Sequence, residues 1–270
     1  MMISIITINY NNVSGLRRTI DSVISQNYVD IEFIIVDGLS TDGSIDVIKS
    51  YSSYISKCIC EPDSGIYNAM NKGIRMATGE YCIFMNSGDL FFSPDVLQKM
   101  IPHFASGHDI YNGNAIYTKR GKIVWYRKAE KEVSINQFVK SSICHQATFI
   151  KTSLLKRYMY DERYSLVSDW KFWIQALCLD SASYKAVNVD VCCYDAEGRS
   201  LKQIDIGKRE REDILRSFFS PEKLYTIEIN SNKNRVLRYI IKGFKRRFWL
   251  IFSFIFKAGQ VKRLYQDSIE

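Results

Sequence analysis

Short apolar runs alternate with amphipathic stretches along roughly the first hundred residues. Met2 to Asn9 is an isoleucine-rich run of the kind that forms a buried strand. Asn11 and Asn12 can cap the next segment, where Val13, Leu16, Ile20, Val23 and Ile24 recur at helical spacing. Ile31 to Asp37 predicts a second strand, and Asp42 or Ser40 caps a helix carrying Ile45, Val47, Ile48 and Tyr51. Lys57 to Glu61 predicts a third strand, ended by Pro62 and the turn Asp63–Gly65. Tyr67, Met70, Ile74 and Ala77 mark a third helix, and Glu80 to Met85 a fourth strand that runs into Asn86–Asp89. Ser93 and Pro94 then open a helix with Val96, Leu97, Met100 and Ile101 on its apolar face.

Strict alternation of strand and helix up to about residue 106 is the pattern of a doubly wound, mainly parallel sheet. Such sheets bind ligands at the carboxyl ends of their strands, and two of these strands end in carboxylates, Asp37 and Asp89. The pattern then changes. Asp109 to Thr118 and Lys122 to Tyr126 read as antiparallel strands around Lys119–Gly121. Ser141 to Lys151 brings the polar pair His145–Gln146 into a strand, and Val167 to Leu177 predicts a helix with Ser168 as its N-cap. Glu197 to Ser200 is a polar loop.

Composition adds three constraints. With 46% hydrophobic residues in 270, the chain can bury a full core. The net charge of +8 points to an anionic partner. The seven cysteines include no C-x-x-C pair and lie mostly in apolar runs, which predicts buried reduced thiols in a cytosolic protein. The first residues, M-M-I-S-I-I-T-I-N-Y, lack a basic n-region and read as a core strand. No helix-turn-helix, zinc or RNA-recognition motif is present, so no nucleic-acid partner is expected.

The segments D-G-L-S-T-D-G-S, E-P-D-S-G-I-Y-N-A-M-N-K-G-I and A-T-G-E-Y-C-I-F-M-N-S-G-D, in this order, resemble the family 2 glycosyltransferases. More narrowly they are similar to the bacterial exopolysaccharide and O-antigen members, including the colanic acid type. The likeness spans about residues 2–200. It implies an α/β GT-A fold, with a Rossmann-like, mainly parallel sheet flanked by helices. It also implies a nucleotide-sugar donor, Mn2+ or Mg2+, and an inverting transfer.

Carried onto this chain, the resemblance makes Asp37 the residue that bonds the nucleotide base, with Gly38 beside it. Asp63 becomes a second base- or ribose-side carboxylate, Asp89 the metal ligand and Asp169 the catalytic base. His145 and Gln146 match an acceptor-side pair, and Gly198, Arg199 and Ser200 a loop that contacts the diphosphate. Elementary chemistry agrees. A uracil N–H needs an acceptor such as Asp37, and a diphosphate needs cations, which Lys72, Arg75 and a metal on Asp89 can supply. The start of a helix favours the ionised form of Asp169. There are two departures from the family pattern: Gly88 stands where an Asp often precedes Asp89, and Asn68 where many relatives have Asp. Trp170 and Trp173 read as core, and the basic cluster at 119–131 as an exposed hairpin face.

The expected organisation is a catalytic domain over 1–205, with a nucleotide-binding half (1–106) and an acceptor half (107–205), followed by a tail at 206–270. In 235–250, Val236, Leu237, Ile240, Ile241, Phe244 and Phe248 share one helical side, and Arg235, Arg238, Lys242, Lys245 and Arg246 the other. That is the pattern of an amphipathic helix lying on an anionic membrane surface. The expectation is therefore a cytoplasmic enzyme, peripheral on the inner face of the cell membrane, that acts on a polyprenyl-diphosphate-linked sugar. A polyprenyl-phosphate glycosyltransferase and a non-catalytic nucleotide-sugar-binding protein are the alternatives, and a homodimer is left open.

Overall fold

The computed structural model describes residues 1–119, 121–196, 203–227 and 229. The chain divides into two compact units, Met1–Phe218 and Phe219–Glu270. Of the second, the described residues are helical over 221–227. The basic amphipathic stretch at 235–250 lies outside the described residues, as do Gly198, Arg199 and Ser200. Among the described residues no helix is long and apolar enough to cross a membrane.

The first unit opens with β1 (Ile3–Asn9), α1 (Val13–Ile24), β2 (Ile31–Asp37), α2 (Ser44–Ser50), β3 (Lys57–Cys60), α3 (Ile66–Met76) and β4 (Tyr81–Phe84). It continues with β5 (Leu90–Phe91), α4 (Val96–Phe104), β6 (Ile110–Lys119), β7 (Lys122–Arg127), α5 (Ile135–Phe138), β8 (Thr148–Lys151) and α6 (Thr152–Tyr158). α7 (Ser168–Trp173) runs on as a π-helical segment, Ile174–Leu179, before β9 (Tyr184–Asp195) and α8 (Ile204–Phe218). The strands form one sheet in the order β3-β2-β1-β4-β8-β6-β9-β5, with β7 on β6. β3, β2, β1 and β4 are mutually parallel, as their helical connections require. β8 runs against β4 and β6, and β9 runs parallel to β6. This is the mainly parallel α/β sheet expected from the sequence.

The alternation places the core. β1 is buried along its whole length, and Ile3, Ile5, Leu16, Ile20, Phe33 and Ile35 join Tyr81, Ile83, Met100 and Phe149 in one apolar cluster. Trp170 and Trp173 are buried, as their reading as core predicts. The local expectations need four corrections. Ser168 is the first residue of α7 rather than its cap, and its hydroxyl has no partner. α2 begins after Gly43, while Asp42 receives the Ser44 N–H and hydroxyl and the Val13 N–H. β9 has no counterpart among the predicted elements. Cys58 and Cys60 are exposed on the edge strand β3, whereas Cys82, Cys144 and Cys192 are buried; all seven cysteines are free.

One buried charge ties the parallel strands together. Glu32, on β2, accepts bonds from Ser4 Oγ (2.5 Å), Thr78 N (2.7 Å), Thr78 Oγ1 (2.6 Å) and Lys57 Nζ (2.6 Å). Burial alone would raise its pKa, but the bonds from Lys57, Ser4 and Thr78 outweigh it and hold the carboxyl down to about 2. Glu32→Ala should destabilise the fold by about 3–5 kcal/mol, because it strands Lys57 and the Ser4 and Thr78 donors. A shift of the urea midpoint at unchanged slope would show this. The sign with pH follows from the depressed value. The contribution is whole above 4.5, the ordinary glutamate value, and is lost as the pH falls toward about 2.

Candidate active site

β1, β2 and β4 end on one edge of the sheet, and their last residues build one wall of the site. Asp37 is fully buried there. Its Oδ2 accepts from Asn9 Nδ2 (2.7 Å) and Ser40 Oγ (2.8 Å), and its Oδ1 from Ser40 N (2.7 Å). The carboxylate thus fixes the loop that follows β2, and Oδ1 keeps one unfilled acceptor position. Gly38 packs closely, since a Cβ there would lie 3.0 Å from both Asp63 Oδ2 and Tyr10 Cδ2 and would push one of these side chains aside. Asp63 is held by Lys72, whose Nζ is 2.6 Å from Asp63 Oδ1 and 2.9 Å from Glu61 Oε1. Lys72 therefore pins the 61–63 loop, and two carboxylates neutralise its charge. Tyr10 is 69% exposed, an aromatic face left open directly above Gly38. Asn68 donates to Glu162 Oε2 at 2.8 Å. An Asp in its place would set two negative charges against each other.

Asp89 is also buried, at 5% exposure. Its Oδ1 accepts from the backbone N–H of Asp195 (3.0 Å) and its Oδ2 from Gln146 Nε2 (3.1 Å). Desolvation raises its pKa to about 7 in spite of these two bonds. Gly88 has φ +107°, a left-handed conformation that L side chains rarely adopt. Asp195 Oδ2 lies 3.8 Å from where a Cβ on Gly88 would be, so a second carboxylate stands beside the position where the motif lacks one.

These residues fit a divalent cation in one way only. Asp89 is a buried carboxylate with no Lys or Arg paired to it among the described residues, and each of its oxygens retains an acceptor position. No cluster of three or more His, Cys, Asp or Glu side chains able to hold a metal occurs among the described residues. A cation here would need phosphate oxygens and water to complete its shell, as Mg2+ and Mn2+ readily accept.

Asp169 opens α7 across from this wall. Tyr67 donates its hydroxyl to Oδ1 at 2.9 Å, and His145 Nδ1 lies 3.3 Å from Oδ2. Burial pushes the carboxyl up, but the hydrogen bond and charge of His145 and the bond from Tyr67 bring the net shift below the ordinary aspartate value. Burial in turn lowers the His145 pKa, and Asp169 outweighs it, leaving the imidazole raised. The other ring nitrogen faces Asn86 Nδ2 at 3.4 Å, while Asn86 Oδ1 is buried without a partner. Rotating the Asn86 amide would offer that oxygen to an Nε2–H, so the site accommodates both the neutral and the cationic imidazole.

Three residues here carry no site role in the sequence pattern. Tyr67 reads there only as part of a helix face. Tyr10 follows directly on β1, and an aromatic residue at that strand end was the available signal. Arg211 carried no signal, since it lies beyond the matched motifs. α8 is fastened by Glu210 to Ser165 N and Leu166 N, and by Asp213 to the Tyr164 hydroxyl. This sets the half-buried Arg211 guanidinium 5.1 Å from the centre of the Trp170 ring, within electrostatic reach of Asp169 and Tyr67. Burial lowers its pKa, partly offset by the charge of Asp169.

The sequence profile of Glycosyl transferase family 2 matches residues 4–161. The chain belongs to this family. Its curated relatives include a PGL/p-HBAD biosynthesis glycosyltransferase of Mycobacterium tuberculosis, 28% identical over 204 residues, covering 73% of this chain and 78% of the relative. An uncharacterized glycosyltransferase of the same organism is 30% identical over 209 residues, covering 73% of this chain and 76% of the relative. Among solved structures, S. aureus TarS 1–349 in complex with UDP-GlcNAc is similar with a TM-score of 0.61 at 18% identity, covering 84% of this chain and 64% of TarS 1–349. The Pyrobaculum calidifontis mannosyltransferase PcManGT, holding GDP-Man and Mn2+, has a TM-score of 0.55 at 18% identity, covering 74% and 58%. The chain spans less than two thirds of either solved neighbour. These likenesses place the fold among GT-A transferases.

Proposed function

We propose that this family 2 glycosyltransferase moves a hexosyl or N-acetylhexosaminyl group from a UDP-sugar to a hydroxyl of a polyprenyl-diphosphate-linked saccharide, with inversion. The setting is surface polysaccharide assembly (O-antigen, capsule or exopolysaccharide) at the inner face of the cell membrane. The observation that carries the reading is the pair His145–Gln146. These adjacent residues on one 3-10 turn clamp two acids of different character, since His145 holds Asp169 ionised and Gln146 bonds the buried Asp89. A transferase that works by direct displacement needs such a pair, a base on the acceptor side and an anchor for the cation on the leaving-group side.

In this mechanism Tyr10 stacks on the base. Asp37, through its free acceptor position, and Asp63 receive the N–H and O–H donors of the nucleoside. Mg2+ or Mn2+, when bound, supplies Lewis-acid stabilisation to the diphosphate, and Asp89 would hold it, with Asp195 alongside. The acceptor oxygen forms its bond to the anomeric carbon as the bond to the diphosphate oxygen breaks, and the electron pair leaves with UDP. Asp169 takes the acceptor hydroxyl proton, and Tyr67 and His145 keep its carboxylate aimed. An α-linked donor then gives a β-linked product.

UDP-Glc, UDP-Gal, UDP-GlcNAc, UDP-GalNAc and GDP-sugars should be offered with Mn2+ and a lipid-diphosphate sugar acceptor analogue. Turnover of one UDP-sugar is expected, with a product one sugar heavier and a β linkage by NMR. A product joined to a phosphate oxygen would instead establish the polyprenyl-phosphate activity. Donor binding with neither transfer nor hydrolysis would leave a nucleotide-sugar-binding protein.

A further inference from the structure

The β6–β7 hairpin is placed and built unlike the rest of the sheet. Ile110 on β6 is level with Ile150 on β8, which is level with Cys82 on β4. β6 runs in the same direction as β4, because each is antiparallel to β8. β4 ends two residues later at Phe84, whereas β6 continues to Lys119. β6 therefore runs on by on the order of 20 Å of strand past the end of β4. It rises beside the site itself, since Thr118 pairs with Asp195, whose N–H bonds Asp89.

β7 pairs only with β6 among the described residues, and it is apolar where an exposed strand is normally polar. Ile123, Val124, Trp125 and Tyr126 are 70%, 55%, 59% and 41% exposed. Successive strand residues point to opposite faces, so both faces of β7 present apolar groups. The Trp125 ring lies 5.3 Å from that of Tyr117, which lies 5.0 Å from that of Tyr194, making an aromatic row across β7, β6 and β9. Around this apolar strip the sequence from Tyr117 to Lys131 has six basic residues and one acidic residue, Glu130. Lys119, Lys122, Lys128 and Lys131 are exposed.

Two occupants compete for such a strip, a strand of another protein or a lipid surface. The ladder shifts register between Tyr117 and Thr118, a bulge that disrupts edge pairing, and lysines flank the strand; both are devices that block addition of a further strand. Neither obstructs a bilayer. Apolar side chains on both faces, Trp and Tyr among them, and a ring of lysines suit shallow insertion at an anionic headgroup layer. We propose that the β6–β7 hairpin docks on anionic lipid and inserts Ile123, Trp125 and their neighbours at the interface, holding the ligand edge of the sheet against the membrane. The proposal rests on the hairpin's own residues and not on the C-terminal tail, and it stands whether or not the proposed donor and acceptor are right.

Fluorescence separates the hairpin from the rest of the full-length chain. Trp170 and Trp173 are buried, and Trp249 can be removed as Trp249→Phe. Vesicles of 70% brominated phosphatidylcholine and 30% phosphatidylglycerol should quench the Trp249→Phe protein, and the quenching should vanish in Trp125→Phe/Trp249→Phe. In flotation on vesicles of the same charge, Ile123→Ser/Trp125→Ser should weaken binding by about tenfold, while turnover of the donor with a water-soluble acceptor is retained. Unquenched Trp125 alongside vesicle-bound protein would overturn the proposal. So would a Trp125-dependent dimer in solution, which would make the strip a protein contact. Loss of turnover in the wild type would bear on the proposed function and leave the docking result intact.

Discussion

Asp169→Asn is expected to lower the transfer rate by about 10²–10⁴-fold while leaving UDP affinity unchanged. The substitution is nearly isosteric. The amide oxygen still accepts a bond from Tyr67 or His145, so the start of α7 keeps its position and only proton acceptance is lost. Single-turnover transfer set against calorimetric UDP binding would separate the two effects, and a parallel fall in UDP affinity would relocate Asp169 to the donor side. The pH profile sharpens the test. Asp169 is held below its ordinary value of 3.8, chiefly by His145 against the opposing pull of burial. In the wild type the base is therefore ionised throughout the neutral range, and its acid limb lies below that value. In His145→Ala burial is opposed only by the bonds from the Tyr67 hydroxyl and the Trp170 backbone N–H, and the acid limb should move upward. His145→Gln, which can restore a donor but no charge, should fall between. A purely structural role for His145 would lower the rate at every pH without moving the limb.

The contrast between Asp37, Asp89 and Asp169 shows what was legible beforehand. The βα framework was plain because the burial of each strand and helix is local: β1, β2 and β4 are short, mostly apolar runs buried along nearly their whole length, and α1 and α3 bury one stripe each. Chain direction then brought Asp37 and Asp89 to one edge without any tertiary information. The electrostatic character of the acids was not legible. Asp37 is partly satisfied by Asn9 and Ser40, Asp89 is desolvated, and Asp169 is stabilised by Tyr67 and His145, 102 and 24 residues away. Each of these depends on a contact between distant segments. β9 escaped because its twelve residues mix buried and half-exposed positions without a clean period. Arg211 escaped because only the docking of α8 through Glu210 and Asp213 brings it to Trp170. The exposure of Cys58 and Cys60 follows from β3 being the edge of the sheet, a fact of strand order that an apolar run does not reveal.

Asp89→Asn is expected to remove transfer, by about 10²-fold or more, and yet to make the nucleotide-free protein more stable above pH 7. Two observations drive this. The carboxylate is buried, and among the described residues no Lys or Arg pairs with it, which leaves the charge of His145 as its partial offset. Its pKa, raised from 3.8 to about 7 by desolvation, means that the folded chain binds a proton the unfolded chain has released. Stability from this group therefore falls as the pH rises from near 4 to near 7 and stays at its minimum above that, a loss on the order of a few kcal/mol. An amide carries no charge to desolvate. The amide oxygen introduced by Asp89→Asn can keep the bond from Asp195 N–H, and Gln146 can turn its own amide to pair with the new NH2 group, giving up only its weak contact with Cys144 Sγ. Thermal melts at pH 5 and pH 8 would decide. The variant should gain on the wild type at pH 8 and show little difference at pH 5, and Mn2+ with UDP should raise the melting temperature of the wild type alone. If Asp89→Asn were less stable than the wild type at pH 8, the carboxylate would be a structural acceptor, and the anchor for a cation would have to be sought elsewhere in the site.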